Sequence, residues 1–310
     1  MSQKLRLIRY LLFFVLLVFA DRFIGAAISK LAKVQIRDNR VGLLIDKKID
    51  ADIYIIGSSR ALNNYNPGII TEYTGKSCYN LGVSGSNVNF HETMLDLVLQ
   101  NASKPDMIIY NIDDYGTLFT MEGVIYRKDV LYPYVDNDLV NERVSHELDR
   151  NRIATKVSDS YRQNINFINA LKFLAYGREA TDYTTTNFDS LGANLLVQRP
   201  GDKIPVFGRR KFELPTHQLD SVRVSAFRRI QQKCLSNNIQ LVLVLPPLYT
   251  KPSAFFRQQV KKQGLPGAHW MDFTNQMQEA SYFFNTDHMN KVGANIFSHK
   301  VGGKLTEILR

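Results

Sequence analysis

The stretch ADIYIIGSSR, residues 51–60, decides the fold class of this chain. Its apolar, largely β-branched run ends at Gly57, and two serines and an arginine follow directly. Continuous apolar runs of this length are typical of strands that are covered on both faces, as in a parallel sheet. The serine after such a strand has two interpretations: it caps the next helix, or it is a nucleophile held toward a substrate.

Other segments repeat this strand character and alternate with helical patterns. The further apolar runs are MIIYNID (107–113), IQLVLVLPP (239–247), the shorter HWMDFT (269–274) and the segment SCYNLGV (77–83). Apolar residues recur at helical spacing in three stretches, 89–102, 219–238 and 290–309. The alternation predicts an α/β fold, a three-layer sandwich around a mainly parallel, flavodoxin-like sheet with right-handed crossovers.

The strand–helix rhythm breaks between about residues 115 and 217. Residues 138–177 have a helical pattern, and the polar segment 181–196 follows them. We predict that this region is an insertion into the sheet domain, a helical lid with a small hairpin, because so long an unstructured loop is uncommon. The predicted organisation is an anchor or signal over 1–29, a stalk over 30–50 and an α/β domain over 51–310.

The N-terminus bears on the cellular compartment. Basic residues precede the apolar run YLLFFVLLVFA (10–20), and Asp21 and Arg22 separate it from FIGAAI (23–28). The run suits a signal peptide cleaved after Ala20, or, extended through Ile28, an uncleaved transmembrane anchor, which we favour. All-round hydrophobicity beside basic residues disfavours a buried core helix. With either signal the N-terminus is cytoplasmic and the main domain is exported.

Composition narrows the set of partners. The net charge is +10, which suits an anionic partner or a solvated basic surface, but no compact lysine–arginine block is present. Export argues against a nucleic-acid partner. The only two cysteines, Cys78 and Cys234, are expected to be buried thiols, although a single disulfide is also compatible with the sequence. The histidines lack metal-ligand spacing and no P-loop or dinucleotide fingerprint occurs, so we predict no metal and no cofactor.

Polar residues follow several predicted strands. These stretches are GSSR (57–60), NLGVSGSN (80–87) and YNIDDYG (110–116), and FFNTDHMNKVGA (283–294) precedes the last helix. The carboxyl ends of parallel strands meet at one edge of a sheet, so the first three stretches should lie together. Each has an ordinary interpretation as a cap or a tight turn. Together they offer what a serine hydrolase needs: a nucleophile, an imidazole and donors for the oxyanion.

The order of these stretches resembles the SGNH, or GDSL-like, hydrolase family over roughly residues 50–115 and 220–310. It looks most similar to the membrane-anchored branch of DltD-like and exopolysaccharide-acetylation proteins. The resemblance implies that Ser59 is the nucleophile, with Ser58 standing at the aspartate of the Gly-Asp-Ser block. It also implies that His288 is the general base, and that the backbone N–H groups of Gly85 and Ser59 form the oxyanion hole.

Two positions depart from the family pattern. Asp113 stands where the family has an asparagine that donates to the oxyanion, and an ionised carboxylate cannot donate. Asn111 could donate instead if the register differs. Asn285 stands where the family has the aspartate that orients the histidine, and an amide stabilises the imidazolium less and can favour the wrong tautomer. Asp287, next to His288, is the alternative acid.

Two further residues have non-catalytic interpretations. Arg60 could form a salt bridge with Asp113 or Asp114 rather than act on a substrate. His91 lies on the predicted helix after the glycine turn, and we expect it on the protein surface rather than in the cleft.

The sequence therefore predicts an exported, membrane-anchored serine esterase or O-acyltransferase. Its expected substrate is an acylated cell-envelope glycan or lipid-linked polymer, and a membrane protein that donates acyl groups is a possible partner. The alternative is a catalytically impaired protein of the same fold that binds a glycan or assists polymer assembly.

Overall fold

The computed structural model describes residues 3–35, 38–113, 115–177, 188–198, 219–249 and 254–309. Its centre is one sheet of five parallel strands in the order β2-β1-β3-β4-β5. The strands are β1 (Ile53–Ile56), β2 (Cys78–Asn80), β3 (Met107–Asn111), β4 (Gln240–Leu245) and β5 (His269–Asp272). This is the flavodoxin-like order, and all five strands lie within the predicted segments.

Twelve α-helices are assigned within the described residues. They are α1 (Gln3–Gln35), α2 (Arg40–Ile45), α3 (Ser59–Asn64), α4 (Pro67–Thr74), α5 (Val88–Asn101), α6 (Lys128–Leu131), α7 (Asp138–Glu147), α8 (Arg152–Val157), α9 (Asp159–Tyr176), α10 (Ser221–Ser236), α11 (Ala254–Lys262) and α12 (Lys291–Ile308). The helices predicted over 89–102, 219–238 and 290–309 correspond to α5, α10 and α12.

The continuous apolar character of the strands arises because both faces of the sheet are covered. Ile53 and Ile55 of β1 belong to the core cluster that includes Phe297 of α12. Side chains alternate along a strand, so the intervening residues face the other side. On that side Tyr110 of β3 contacts Phe227 of α10, with ring centroids 5.8 Å apart. The predicted three-layer α/β architecture is confirmed.

The chain divides into two compact units. One unit comprises residues 43–127 and 187–310 and contains the whole sheet. The other comprises residues 1–42 and 128–186 and is helical in its described part. The domain boundaries drawn from sequence at residues 29, 50, 115 and 217 stay predictions, although helix α1 continues beyond residue 29 to Gln35. The small hairpin was expected near the polar segment 181–196. Residues 181–187 lie outside the described residues, and residues 188–196 carry no strand.

Helix α1 is long and apolar enough to cross a membrane, and most of it is exposed in the structure. Length and composition do not distinguish an anchor from a signal sequence. Its C-terminal part packs along α9, where Gly25 lies against Asp159. The two cysteines are free and buried, as expected for core thiols.

Candidate active site

Ser59 lies at the carboxyl edge of the sheet, after the tight turn that follows strand β1. Gly57 has a φ of 155°, a conformation that L-residues with side chains rarely adopt. A Cβ atom on Gly57 would also lie 3.0 Å from the Asn111 carbonyl oxygen on β3. The glycine is therefore needed for both the turn and the close approach of β3. Ser58 occupies the N-cap position, and Ser59 is the first residue of α3.

Ser59 and His288 form a hydrogen-bonded pair. The Oγ atom of Ser59 lies 2.7 Å from Nε2 of His288, although the two residues are 229 positions apart. His288 lies in the short segment that precedes α12, the last described helix, at the position where the family resemblance puts the base. A hydroxyl within this distance of an imidazole nitrogen can transfer its proton to that nitrogen.

Asn285 fixes which ring nitrogen of His288 carries the proton. Its Oδ1 atom accepts hydrogen bonds from the backbone N–H groups of Asp287 at 2.9 Å and His288 at 2.8 Å. Only an oxygen can accept from two N–H donors, so the amide orientation is determined. The same oxygen lies 3.1 Å from Nδ1 of His288, so Nδ1 must carry the proton. Nε2 is then the bare nitrogen that faces Ser59, which is the tautomer a general base requires.

Asp287 was the alternative acid for orienting His288, but its carboxylate has other partners. Its carboxylate bonds Arg60 at 3.3 Å and the hydroxyl of Thr286 at 3.1 Å. Asn285, rather than Asp287, contacts the His288 ring. The interpretation of Asp287 as the orienting acid is therefore wrong for this structure. Arg60 forms an ion pair with Asp287 at 3.3 Å. Asp114 lies outside the described residues, so the expected pairing of Arg60 with Asp113 or Asp114 stays a prediction.

Helix α3 holds the histidine segment on both sides of His288. The Nε atom of Arg60 donates to the carbonyl oxygen of Asp287 at 3.1 Å. Oδ1 of Asn64, a fully buried residue, accepts from the backbone N–H of Met289 at 3.0 Å. The helix that begins with the nucleophile thus also fixes the residues before and after the base. Asn64 is one of several polar residues in NNYN, 63–66, and no sequence signal distinguishes it from the others.

His288 is neutral over most of the pH range. Burial lowers its pKa to about 4 from an ordinary value of 6.5, and the positive charge of Arg60 acts in the same direction. The carboxylate of Asp287 opposes this shift. A neutral imidazole can accept the Ser59 proton at any pH above about 4.

Asp113 and Asn111 hold the strand end rather than present free donors. Asp113 accepts from the backbone N–H of Ser58 at 2.9 Å and from Nδ2 of Asn111 at 3.0 Å. Oδ1 of Asn111 accepts the hydroxyl proton of Tyr65 at 2.8 Å, and Asn111 is fully buried. Asp113 therefore fixes the turn before the nucleophile, and its acceptor role agrees with the expectation that it does not donate to an oxyanion.

Two backbone N–H groups are available as oxyanion donors. Neither Ser59 nor Gly85 donates its N–H to another group within the part of the chain that the structure describes. The N–H of Val83 bonds the carbonyl of Gly57 at 3.0 Å, so the segment before Gly85 runs beside the nucleophile turn. Gly85 has a φ of 70°, which favours glycine at this position. The role of these two groups stays a prediction.

Gly82 is a further residue that the site requires, and its role was not predicted from the sequence. A Cβ atom there would lie 2.4 Å from the backbone nitrogen of Leu62 and 2.7 Å from Cβ of Ala61. Both residues belong to α3, so Gly82 permits the helix that carries Ser59 to pack directly against this segment.

His91 is buried, not on the surface as expected. Its Nε2 lies 2.8 Å from Oγ of Ser86 and its Nδ1 lies 2.9 Å from the hydroxyl of Tyr110. Because the Ser86 hydroxyl donates to the carbonyl of Val83, it can only accept from His91. Burial lowers the pKa of His91 to about 3. In this second serine–histidine pair the histidine donates to the serine, the reverse of the Ser59–His288 pair. The contacts of His91 with Ser86 and Tyr110 hold α5 against β3.

No group of three or more histidine, cysteine, aspartate or glutamate side chains is placed to bind a metal ion among the described residues. The site geometry consists of Ser59, His288 and Asn285 in a hydrogen-bonded line.

Comparisons with known proteins gave matches among solved structures only. No protein-family model and no curated protein sequence matches this chain. Among solved structures, the chain is similar to a lipolytic protein assigned to the G-D-S-L family from Desulfitobacterium hafniense DCB-2. The TM-score is 0.40 at 10% sequence identity, over 81% of this chain and 97% of the other.

Proposed function

We propose that this chain is an exported, membrane-anchored serine esterase or O-acyltransferase of SGNH-like fold, with a site similar to those of DltD-like and exopolysaccharide-acetylation proteins. The observation that carries the proposal is the 2.7 Å contact between Ser59 Oγ and the unprotonated Nε2 of His288. Asn285 supports it, because it selects the tautomer that accepts a proton from serine.

The proposed reaction begins with attack of Ser59 Oγ on the carbonyl carbon of an acyl ester. His288 takes the hydroxyl proton at Nε2 while the carbonyl oxygen becomes an oxyanion, which the N–H groups of Ser59 and Gly85 stabilise. The carbon–oxygen bond to the leaving alcohol then breaks, and His288 returns the proton to that alcohol. An acyl-enzyme on Ser59 remains.

The second half of the reaction repeats these steps with another nucleophile. His288 removes a proton from water or from a sugar hydroxyl, and the resulting oxygen attacks the acyl carbonyl. The bond to Ser59 Oγ breaks, and the serine recovers its proton from His288. Water as acceptor makes the chain an esterase, whereas a glycan hydroxyl makes it a transferase, and the same residues serve both.

The substrate class follows from the proposed location. Helix α1 is proposed to anchor the chain with its N-terminus in the cytoplasm, because basic residues precede the apolar run. The site would then face the cell envelope, where acylated glycans and lipid-linked polymers are available. A membrane protein that supplies acyl groups is a proposed partner for the transferase reaction.

A second function is favoured by one specific observation. Asp113 places a carboxylate, only 9% exposed, against the N–H of Ser58, directly before the nucleophile. A negative charge there would oppose an oxyanion. The second candidate is therefore a protein that binds a glycan in the same cleft or assists polymer assembly without turning over esters.

Intact-protein mass spectrometry after exposure to an activated acetyl ester separates the two functions. We expect the full chain to gain one acetyl group on Ser59 and to lose it as ester is hydrolysed. Ser59→Ala should gain none. Ser86→Ala is the matched control, because it removes the serine of the other serine–histidine pair, and it should acylate like the wild type. A folded wild-type protein that never acylates would leave only the binding function.

A further inference from the structure

The end of the apolar run in α1 is fixed to the helices α8 and α9. Asp21 accepts hydrogen bonds from the backbone N–H groups of Asp159 at 2.9 Å and Ser160 at 3.1 Å, so it caps the first turn of α9. Arg22 donates to the carbonyl oxygen of Val157, the last residue of α8, at 3.1 Å. The residue that ends α8 therefore lies at the level of α1 where the apolar run stops.

The two helices α1 and α9 advance in the same direction from this level. Asp159 lies against Gly25, and farther along Asp136 accepts from both Ser29 of α1 and Gln163 of α9. The first turn of α9 is thus nearest to the apolar run, and its later turns lie progressively farther from it.

The apolar run alone is too short for a bilayer core. Residues 10–20 span about 16 Å at 1.5 Å per residue, whereas the hydrocarbon core is about 30 Å thick. If α1 crosses a membrane, the bilayer must reach the level of Asp21 and Arg22 and hence the end of α8. Helix α8 has six residues, so its whole length lies within about 9 Å of that level.

Helix α8 presents an apolar and basic surface outward. Ile153 and Val157, four positions apart, are 75% and 65% exposed, whereas Thr155 between them is fully buried. Arg152 and Lys156, also four positions apart, are exposed beside them. Apolar residues flanked by cations are the pattern of a helix that lies in the membrane interface, where anionic headgroups attract lysine and arginine.

From this arrangement we infer that α8 is a second membrane contact, in which Ile153 and Val157 enter an anionic lipid surface while Arg152 and Lys156 bind headgroup phosphates. The inference rests on the proposed membrane anchor. Its consequence is that the helical unit is held against the bilayer at two places, which limits rotation of that unit about α1.

The test uses the full chain in lipid vesicles with one environment-sensitive fluorophore per variant. Single cysteines replace three residues of nearly equal exposure: Phe13 in α1 at 61%, Val157 in α8 at 65% and Leu174 in the late part of α9 at 64%. The native Cys78 and Cys234 are buried with raised pKa values, so they should not take the label. Quenchers attached to lipid acyl chains report contact with the bilayer.

In vesicles that contain phosphatidylglycerol, we expect quenching at positions 13 and 157 and none at position 174. Quenching at 13 but not at 157 would overturn the α8 contact and leave the anchor intact. No quenching at 13 would overturn both. Equal quenching at 157 and 174 would also contradict the inference, because the whole helical unit would then lie flat on the bilayer.

The double variant Arg152→Gln, Lys156→Gln tests the binding of anionic headgroups separately. Replacing Arg152 and Lys156 with glutamine should weaken quenching at position 157 about twofold in phosphatidylglycerol vesicles, and leave position 13 unchanged. Unchanged quenching at 157 would refute binding of anionic headgroups by these two cations. Acylation of Ser59, measured in the same vesicles, reports independently whether the proposed chemistry holds.

Discussion

Oδ1 of Asn285 lies 3.1 Å from Nδ1 of His288 and is held in that orientation by two backbone N–H donors. The amide therefore selects the same histidine tautomer that an aspartate would select. It differs from an aspartate in charge, since it does not stabilise the imidazolium that forms when Ser59 loses its proton. Asparagine in place of aspartate at position 285 thus preserves the geometry and reduces the electrostatic stabilisation of the imidazolium.

The first prediction concerns Asn285→Asp. A carboxylate accepts the same backbone hydrogen bonds and adds a negative charge beside the ring, so the pKa of His288 should rise by one unit or more. We expect kcat/KM for ester hydrolysis to increase about tenfold at neutral pH, because one pKa unit corresponds to about 1.4 kcal/mol.

The pH profile of kcat/KM checks this prediction. In the wild type the neutral form of His288 persists down to a pKa of about 4, so activity should fall only below that pH. In Asn285→Asp the acid limb should move to higher pH. An unchanged limb would mean that Asn285 does not act through the imidazole.

Arg60 and Asp287 should shift the pKa of His288 in opposite directions. Arg60→Met removes a cation that lowers this pKa, so the acid limb should move to higher pH. Asp287→Asn removes an anion that raises it, so the limb should move to lower pH by a smaller amount, because the Asp287 carboxylate is exposed. NMR titration of the His288 ring measures both shifts, and shifts of the same sign would contradict the electrostatic assignment.

Two glycine substitutions should have opposite effects on stability. In Gly82→Ala the new Cβ would meet the backbone nitrogen of Leu62 at 2.4 Å, so we expect a loss of about 1–3 kcal/mol in the free energy of unfolding. Gly303→Ala, inside α12, is the control, because its Cβ would meet only Tyr73 at 3.9 Å.

The control should gain about 0.5–1 kcal/mol, since alanine favours a helix interior over glycine. Urea denaturation of the two variants gives both free energies. If Gly82→Ala were as stable as the wild type, the close packing of α3 on this segment would be refuted.

The buried His91 should make the fold sensitive to acid. Its pKa is lowered from 6.5 to about 3, so the unfolded chain binds a proton that the folded chain rejects between these values. The contribution of His91 to the free energy of unfolding is thus fully present above about pH 6.5. It is lost as the pH drops toward 3, by up to about 1.4 kcal/mol per pH unit.

The variant His91→Gln should have a shallower decline over the same range, as measured by urea denaturation at several pH values. It should still acylate at Ser59, because His91 donates to Ser86 and is not a base for the nucleophile. A loss of acylation in a folded His91→Gln protein would place His91 in the chemistry.

The sheet was predictable because each buried strand leaves a continuous apolar run, as IYII in β1 illustrates. The pairing of Ser59 with His288 was expected from the resemblance to SGNH-like hydrolases, which implies a nucleophile at Ser59 and a base at His288. The details that decide the chemistry were not predictable from the sequence. The role of Asn285 depends on two backbone N–H groups that point at one oxygen, and the pairing of Arg60 with Asp287 depends on a loop conformation.

The burial of His91 was not predictable from the sequence either. A histidine on an amphipathic helix gives no sequence signal of burial, and only the partners Ser86 and Tyr110 explain why it is satisfied inside. Asn64 likewise stands among other polar residues, and its bond to the Met289 backbone depends on the position of a segment 225 residues away.

The central claim is that Ser59 is an activated nucleophile, and fluorophosphonate labelling of the full chain with peptide mapping tests it most directly. We expect a single adduct on Ser59 that is absent in Ser59→Ala and reduced about 10³-fold or more in rate in His288→Ala. Ser86→Ala should label like the wild type. A folded wild-type protein without an adduct on Ser59, or labelling that persists at full rate in His288→Ala, would contradict the account.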